Sequence, residues 1–215
     1  FDAYFTGPNG LAVALLRRMA AGGDERQAWL AGAAGLGKTH LLQAACHEAS
    51  AHGLRPAFLP LAEADVLRPD MLEGLDALDL VCLDGIETVA GDDDWEAGLF
   101  RLINAARSAR TRLLFCGRRT PARLGVRLPD LASRLAWGPV LRLTPLDDAQ
   151  KRAALMTRAR ALGLELPPAA ADYLGRHFER DLAGQLARLE QLDRASLAAG
   201  RRLTVPFIKQ VLSSS

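Results

Sequence analysis

Eight consecutive residues, Gly32-Ala33-Ala34-Gly35-Leu36-Gly37-Lys38-Thr39, fit the spacing G-x-x-x-x-G-K-[ST] without a gap. Glycines at these places let backbone N–H groups turn inward around a β-phosphate. A helix starting there points its positive end at the same anion. Lys38 would reach the β- and γ-phosphates, and Thr39 would hold Mg²⁺ through its hydroxyl. The plain alternative is a glycine-rich turn with a chance lysine. An apolar strand before the loop and a helix after it count against that. So does the position of Lys38, one of only three lysines in the chain with Lys151 and Lys209. A second acidic element is Asp84, at the end of the apolar run Leu80-Val81-Cys82-Leu83, where a carboxylate can join the Mg²⁺ shell or simply cap the next turn. Hydrolysis needs a further group to orient or deprotonate water. The residue after Asp84 is Gly85, which cannot do this, and Glu87 is close but lies in a turn or helix start. The pattern therefore supports nucleotide binding better than turnover.

Charge is unevenly distributed. Between Arg101 and Arg142 there are ten arginines and one acidic residue, Asp130, whereas Asp79 to Glu96 holds seven acidic residues and no basic one. Most of these arginines read as solvated faces. Contact with DNA phosphates stays open, although no interleaved aromatic platform supports it. A third reading gives one arginine to a nucleotide held by a partner. Arg134 is the candidate, in the helix-like stretch Leu128-Pro129-Asp130-Leu131-Ala132-Ser133-Arg134-Leu135. Its bland alternative is a pair with Asp130 one turn earlier, worth only ~0.3–0.5 kcal/mol.

The elements that must position these residues follow from periodicity. Helices are expected over Gly10 to Ala21, ended by Gly22-Gly23, and over Thr39 to Ala51 and Trp95 to Ala109. Strands are expected at Gln27 to Ala31, Ala57 to Leu61, Leu80 to Leu83, Leu113 to Cys116 and Val140 to Leu143. Their alternation predicts an α/β class, with a parallel sheet between helices. Beyond Thr144-Pro145 the pattern turns helical, with a capping box at Asp147 and Gln150. Helices are expected over Asp148 to Leu162, Pro168 to His177, Asp181 to Ala199, and after Thr204. The division expected is 1–145 for the α/β domain and 146–215 for a small all-helical domain.

With 215 residues the chain can bury a full core, and a net charge of +2 gives no global field toward nucleic acid or membrane. No apolar run reaches the ~18 residues of a membrane helix, and no signal peptide is visible. Cys46, Cys82 and Cys116 are widely spaced and make no CxxC pair, so they read as reduced thiols of a cytoplasmic protein.

These residues resemble a known family, the AAA+ proteins related to the bacterial replication initiator DnaA, and most closely its Hda branch of regulatory inactivators. The resemblance is carried by Phe1 to Asn9, Gly35-Leu36-Gly37-Lys38-Thr39-His40-Leu41-Leu42, Asp79 to Glu87, and Leu128 to Leu135. It continues through Gln191-Leu192-Asp193-Arg194-Ala195-Ser196 and Leu203 to Leu212. It implies an AAA+ P-loop domain followed by a helical lid. It also implies that ADP or ATP is held by Gly32, Gly35, Leu36, Gly37, Lys38, Thr39 and His40, with Tyr4, Phe5 and Pro8 near the base, and Mg on Thr39 and Asp84. Arg134 lies in the family's arginine-finger motif, which implies action in trans on ATP held by DnaA, together with the DNA-loaded sliding clamp. The peptide that binds the clamp in this family is not visible among these residues. Three positions depart from the initiator: Gly85 where it has an acid, Arg118 at the sensor position usually held by Asp, and Ala183 at the lid sensor arginine, with Arg180 nearby. All three suit a protein that holds nucleotide as a structural switch, with its own ATPase weak or absent.

Three functions fit these residues, in this order: a regulator that stimulates ATP hydrolysis by DnaA and prevents re-initiation, an autonomous AAA+ ATPase of the initiator or helicase-loader type, and an arginine-rich DNA-binding adaptor. Weak DNA contact and self-association stay open, and a membrane partner is not expected.

Overall fold

The protein is described as a computed structural model covering residues 1–63, 66–177 and 182–212. Its sheet has five parallel strands: β1 (Gln27–Ala31), β2 (Pro56–Pro60), β3 (Leu80–Asp84), β4 (Arg112–Gly117) and β5 (Val140–Arg142), in the order β2-β3-β4-β1-β5. Helix α1 (Gly10–Ala20) precedes β1, and α2 (Lys38–Ala51), α3 (Asp93–Ala109) and α4 (Pro129–Leu135) lie in the connections between strands. The expected parallel sheet among helices is therefore present.

Period-two alternation explains why the central strands read as continuous apolar runs. Trp29, Val81, Leu83, Leu113 and Phe115 share one cluster with Leu99 and Ile103 of α3 and Leu131 and Leu135 of α4. The intervening Leu30, Cys82, Leu114 and Cys116 are also buried, on the alternate positions. Trp29 stacks on Phe115 at 6.0 Å, and its indole N–H donates to the Arg119 carbonyl at 2.9 Å.

Several boundaries differ from the sequence reading for local reasons. Helix α3 starts two residues before Trp95 because the Asp92 carboxylate accepts from the N–H groups of Asp94 and Trp95. Strand β2 ends at Pro60, and Leu61 opens a 3₁₀ turn instead. Strand β5 stops at Arg142, although the Leu143 N–H still donates to the Ala31 carbonyl at 2.8 Å.

Arg110 closes α3 in the left-handed conformation, with φ 65°, the one non-glycine residue in that region among those described. A side chain there is strained, so Arg110→Gly should stabilise the fold by about 1 kcal/mol. Denaturant unfolding of the two proteins checks it.

The chain divides into two compact units: Phe1 with Asn9–Thr144, and Asp2–Pro8 with Pro145–Ser215. Asp2–Pro8 cluster with the second unit, whereas the sequence reading placed them in the first. The second unit carries α5 (Asp148–Ala161), α6 (Pro168–His177), α7 (Leu182–Ala199) and α8 (Val205–Leu212) around a core of Leu155, Leu174, Leu189, Leu192, Phe207 and Ile208. The capping box forms: the Gln150 N–H donates to Asp147, and the Asp147 N–H donates to Gln150. Among the described residues no helix is long and apolar enough to cross a membrane.

Candidate functional site

The glycine loop joins β1 to α2 at the carboxyl ends of the strands, where open α/β sheets place ligands. Gly35 and Gly37 have φ of +78° and +80°, a region L side chains rarely adopt, which lets the loop coil on itself. Because Gly37 is the N-cap of α2, no side chain caps the helix. The first-turn N–H groups have no intrahelical acceptor and face the loop mouth with the positive end of the helix dipole. Lys38 is buried, and its ammonium donates to the carbonyls of Gly32 (2.8 Å) and Ala33 (2.9 Å). An ammonium has three donors, so two fix its position and one remains for an anion. Gly32, Gly35, Leu36, Gly37, Lys38, Thr39 and His40 are thus gathered in one loop and helix start, with Thr39 and His40 exposed. Tyr4, Phe5 and Pro8 belong to the second unit, where Phe5 and Leu146 flank Gly7.

Strand order brings Asp84 to the loop even though β4 lies between β3 and β1. Asp84 pairs in register with Cys116. The Thr39 hydroxyl donates to Asp84 Oδ2 at 2.5 Å, and the Cys116 thiol donates to Oδ1. Burial pushes the Cys116 thiol well above its ordinary pKa, and the Asp84 carboxylate adds to this, so it stays a protonated donor. A hydroxyl and a carboxylate converging beside an anion-binding loop are the hard oxygen donors that Mg²⁺ takes. All three cysteines are free, with Cys82 and Cys116 buried.

Glu87 follows on a 3₁₀ turn, Ile86–Thr88. Its Oε1 accepts from the Arg118 N–H at 3.1 Å and lies 3.7 Å from the Arg118 guanidinium. Its Oε2 is buried beside Gly117 without a hydrogen-bond partner among the described residues. Glu87 is therefore engaged with the end of β4. Of the lid positions, Ala183 lies in α7, and Arg180 lies outside the described residues.

Arg134 has a different setting from the one the bland reading expects. Leu131 and Leu135 bury one face of α4, which leaves Arg134 half-buried on its flank. Its guanidinium sits over the Phe100 ring (4.8 Å) and the Trp137 ring (4.7 Å). Among the described residues no ion pair joins it to Asp130, because the rings hold it instead. Two residues that sequence reasoning missed clamp its helix. Gln27 of β1 donates to the carbonyls of Arg134 (2.8 Å) and Leu135 (3.3 Å) at the end of α4. Glu96 of α3 accepts from the N–H groups of Arg127 (3.0 Å) and Leu128 (2.7 Å) at its start, and from that of Gly91 (2.7 Å) just before α3. The signal for Glu96 was its spacing: it shares the apolar face of α3 with Leu99 and Ile103, apart from its exposed acidic neighbours.

Burial alone would raise the Glu96 pKa. The three N–H groups, helped by the Arg127 charge, outweigh it and hold the carboxyl below the ordinary carboxylate range. Its stabilisation is thus fully present above the unfolded pKa of about 4.3 and fades as pH falls through the lower folded value. Replacing it leaves buried donors orphaned, so Glu96→Ala should destabilise the first unit by about 3 kcal/mol at pH 7. Unfolding midpoints at pH 7 and pH 3.5 check both points, and the gap from wild type should narrow at the lower pH.

Residues 148–212 match the family model described as the lid domain of Hda. Domain III of the Thermotoga maritima replication initiation protein DnaA has the same fold, with a TM-score of 0.82 and 19% identity over 99% of this chain and 95% of that one. DnaA from Aquifex aeolicus, bound to AMPPCP, matches at a TM-score of 0.69 and 24% identity over 89% of this chain and 68% of that one. The Thermotoga maritima Holliday junction branch migration motor RuvB matches at 0.68 and 17%, over 96% and 67%. Residues 148–212 are thus a lid of the Hda type, and the chain as a whole has the fold of DnaA domain III.

Proposed function

We propose that this chain is a cytoplasmic, nucleotide-binding regulator of chromosomal replication initiation. It docks on DnaA, supplies Arg134 to the ATP that DnaA holds, acts with the DNA-loaded sliding clamp, and so prevents re-initiation. The observation that carries the reading is the state of Arg134: a half-exposed guanidinium, fixed by two rings and two helix clamps, with no carboxylate among the described residues to neutralise it. A cation held this way is pre-organised for charge that develops elsewhere. The chain's own loop supports a holding role. Gly32 to His40 would cradle ADP or ATP, Tyr4, Phe5 and Pro8 would lie by the base, and Thr39 and Asp84 would take Mg²⁺. The chemistry such a metal supplies is neutralisation of phosphate charge. The AMPPCP in the Aquifex aeolicus initiator is consistent with a nucleotide in this fold.

The second reading, an autonomous ATPase, draws on Glu87, whose Oε2 has no hydrogen-bond partner among the described residues. That oxygen is buried beside Gly117, however, and so is poorly placed to activate water. The test follows ATP bound to DnaA with clamp loaded on DNA, with and without this chain. Faster phosphate release only when the chain is added supports the regulator. Equal rates, with fast turnover by the chain alone, favour the ATPase.

A further inference from the structure

Arg134 is not the only cation at its site. Phe100 and Arg107 lie seven residues apart on α3, hence on one face and about 10 Å apart along the axis. Arg134, in the last turn of α4, sits over Phe100 and over Trp137, which lies two residues past the helix, and Arg107 sits over Trp137 at 4.4 Å. The result is a cluster of two guanidiniums and two rings, with Trp137 shared by both cations. Trp137 is 46% exposed, so the cluster opens to solvent.

We infer that Arg107 is a second anion-binding arginine, acting beside Arg134 on the same partner-held triphosphate, and that Trp137 positions both. The inference rests on the regulatory reading of Arg134. A guanidinium over a ring is held by its charge and its face, so its N–H donors stay available for phosphate oxygens. Neither Arg107 nor Arg134 has an ion-pair partner among the described residues. Asp130, the one acidic residue between positions 101 and 142, pairs with neither. Two uncompensated cations within 5 Å of one indole repel each other unless an anion joins them. A row of phosphates, each able to accept bidentate contacts, is the matching ligand. A DNA strand also offers phosphates. The presence of only two such arginines, fixed by rings at one point, favours a compact triphosphate over a backbone that needs an extended groove.

Two measurements test this. In the first, tripolyphosphate is titrated into Lys38→Ala protein, whose own loop is disabled, and fluorescence of the exposed Trp137 is followed with Trp137→Phe as control. A saturable response, weakened at least about tenfold by adding Arg107→Ala or Arg134→Ala, is expected. Unchanged affinity on adding Arg107→Ala overturns the inference. In the second, phosphate release from DnaA-bound ATP is measured at saturating chain. Arg107→Ala should lower the maximal rate about tenfold, and Trp137→Phe should keep more activity than Trp137→Ala. An Arg107→Ala protein that reaches the wild-type maximal rate overturns the inference, and doubly so if its DNA affinity falls. If wild type itself gives no stimulation, the regulatory reading fails, and the tripolyphosphate titration alone decides the role of Arg107.

Discussion

Arg134→Ala should lose nearly all stimulation of ATP hydrolysis on DnaA, by ~10³-fold or more, the range for an arginine supplied in trans to a transferring phosphoryl group. The chain should otherwise remain intact. The Arg134 side chain makes no hydrogen bond among the described residues, and α4 stays tied through backbone carbonyls to Gln27 and through Leu128 to Glu96. Removing the guanidinium forfeits two ring contacts, each worth about 0.5–1 kcal/mol at an exposed site. Folding therefore survives while stimulation does not. Arg134→Lys should also be poor, because an ammonium lacks the planar fork that meets phosphate oxygens in pairs. Single-turnover phosphate release, with unfolding midpoints for each variant, separates the two effects. A stable Arg134→Ala protein with full stimulation would remove the finger from the account.

Lys38→Ala should weaken nucleotide binding by the chain itself at least about 100-fold, since a charge-assisted contact to phosphate is worth about 1.5–3 kcal/mol and the loop is disturbed as well. The disturbance has a visible cause. The buried ammonium is what ties the Gly32 and Ala33 carbonyls into the loop. Without nucleotide the variant should unfold close to wild type, and the gap should open as nucleotide is added, because a ligand bound only by the folded state stabilises it by mass action. The same variant should recover stimulation of DnaA at saturating nucleotide, because Arg134 remains in place. Thermal shifts against nucleotide concentration read the first effect, and phosphate release reads the second.

The loop was legible because its chemistry is contiguous: eight neighbouring residues with a strand before and a helix after. The buried strands were legible for the same reason, as apolar runs at Leu80–Leu83 and Leu113–Cys116. What sequence spacing could not carry was contact across the sheet. Asp84 was expected beside Thr39, but its thiol partner Cys116 follows only from β4 lying next to β3, a strand order that no local pattern encodes. Glu87 turns to Arg118 for the same reason. The clamps on α4 were hidden because Glu96 sits in a run of acidic residues whose other members are solvated, and Gln27 looks like an ordinary strand start. For Arg134, the Asp130 one turn away was the visible partner. The rings that hold it lie 34 residues earlier on α3 and three residues later past the helix end.

The central claim is that the ATP hydrolysed belongs to the partner. The most direct measurement loads DnaA with γ-labelled ATP and this chain with unlabelled ADP, then follows labelled phosphate with clamp on DNA. The account predicts release that rises with added chain, falls ~10³-fold with Arg134→Ala, and persists when the chain's own nucleotide is ADP. Label released only when the chain itself carries ATP, or equally with Arg134→Ala, would contradict it.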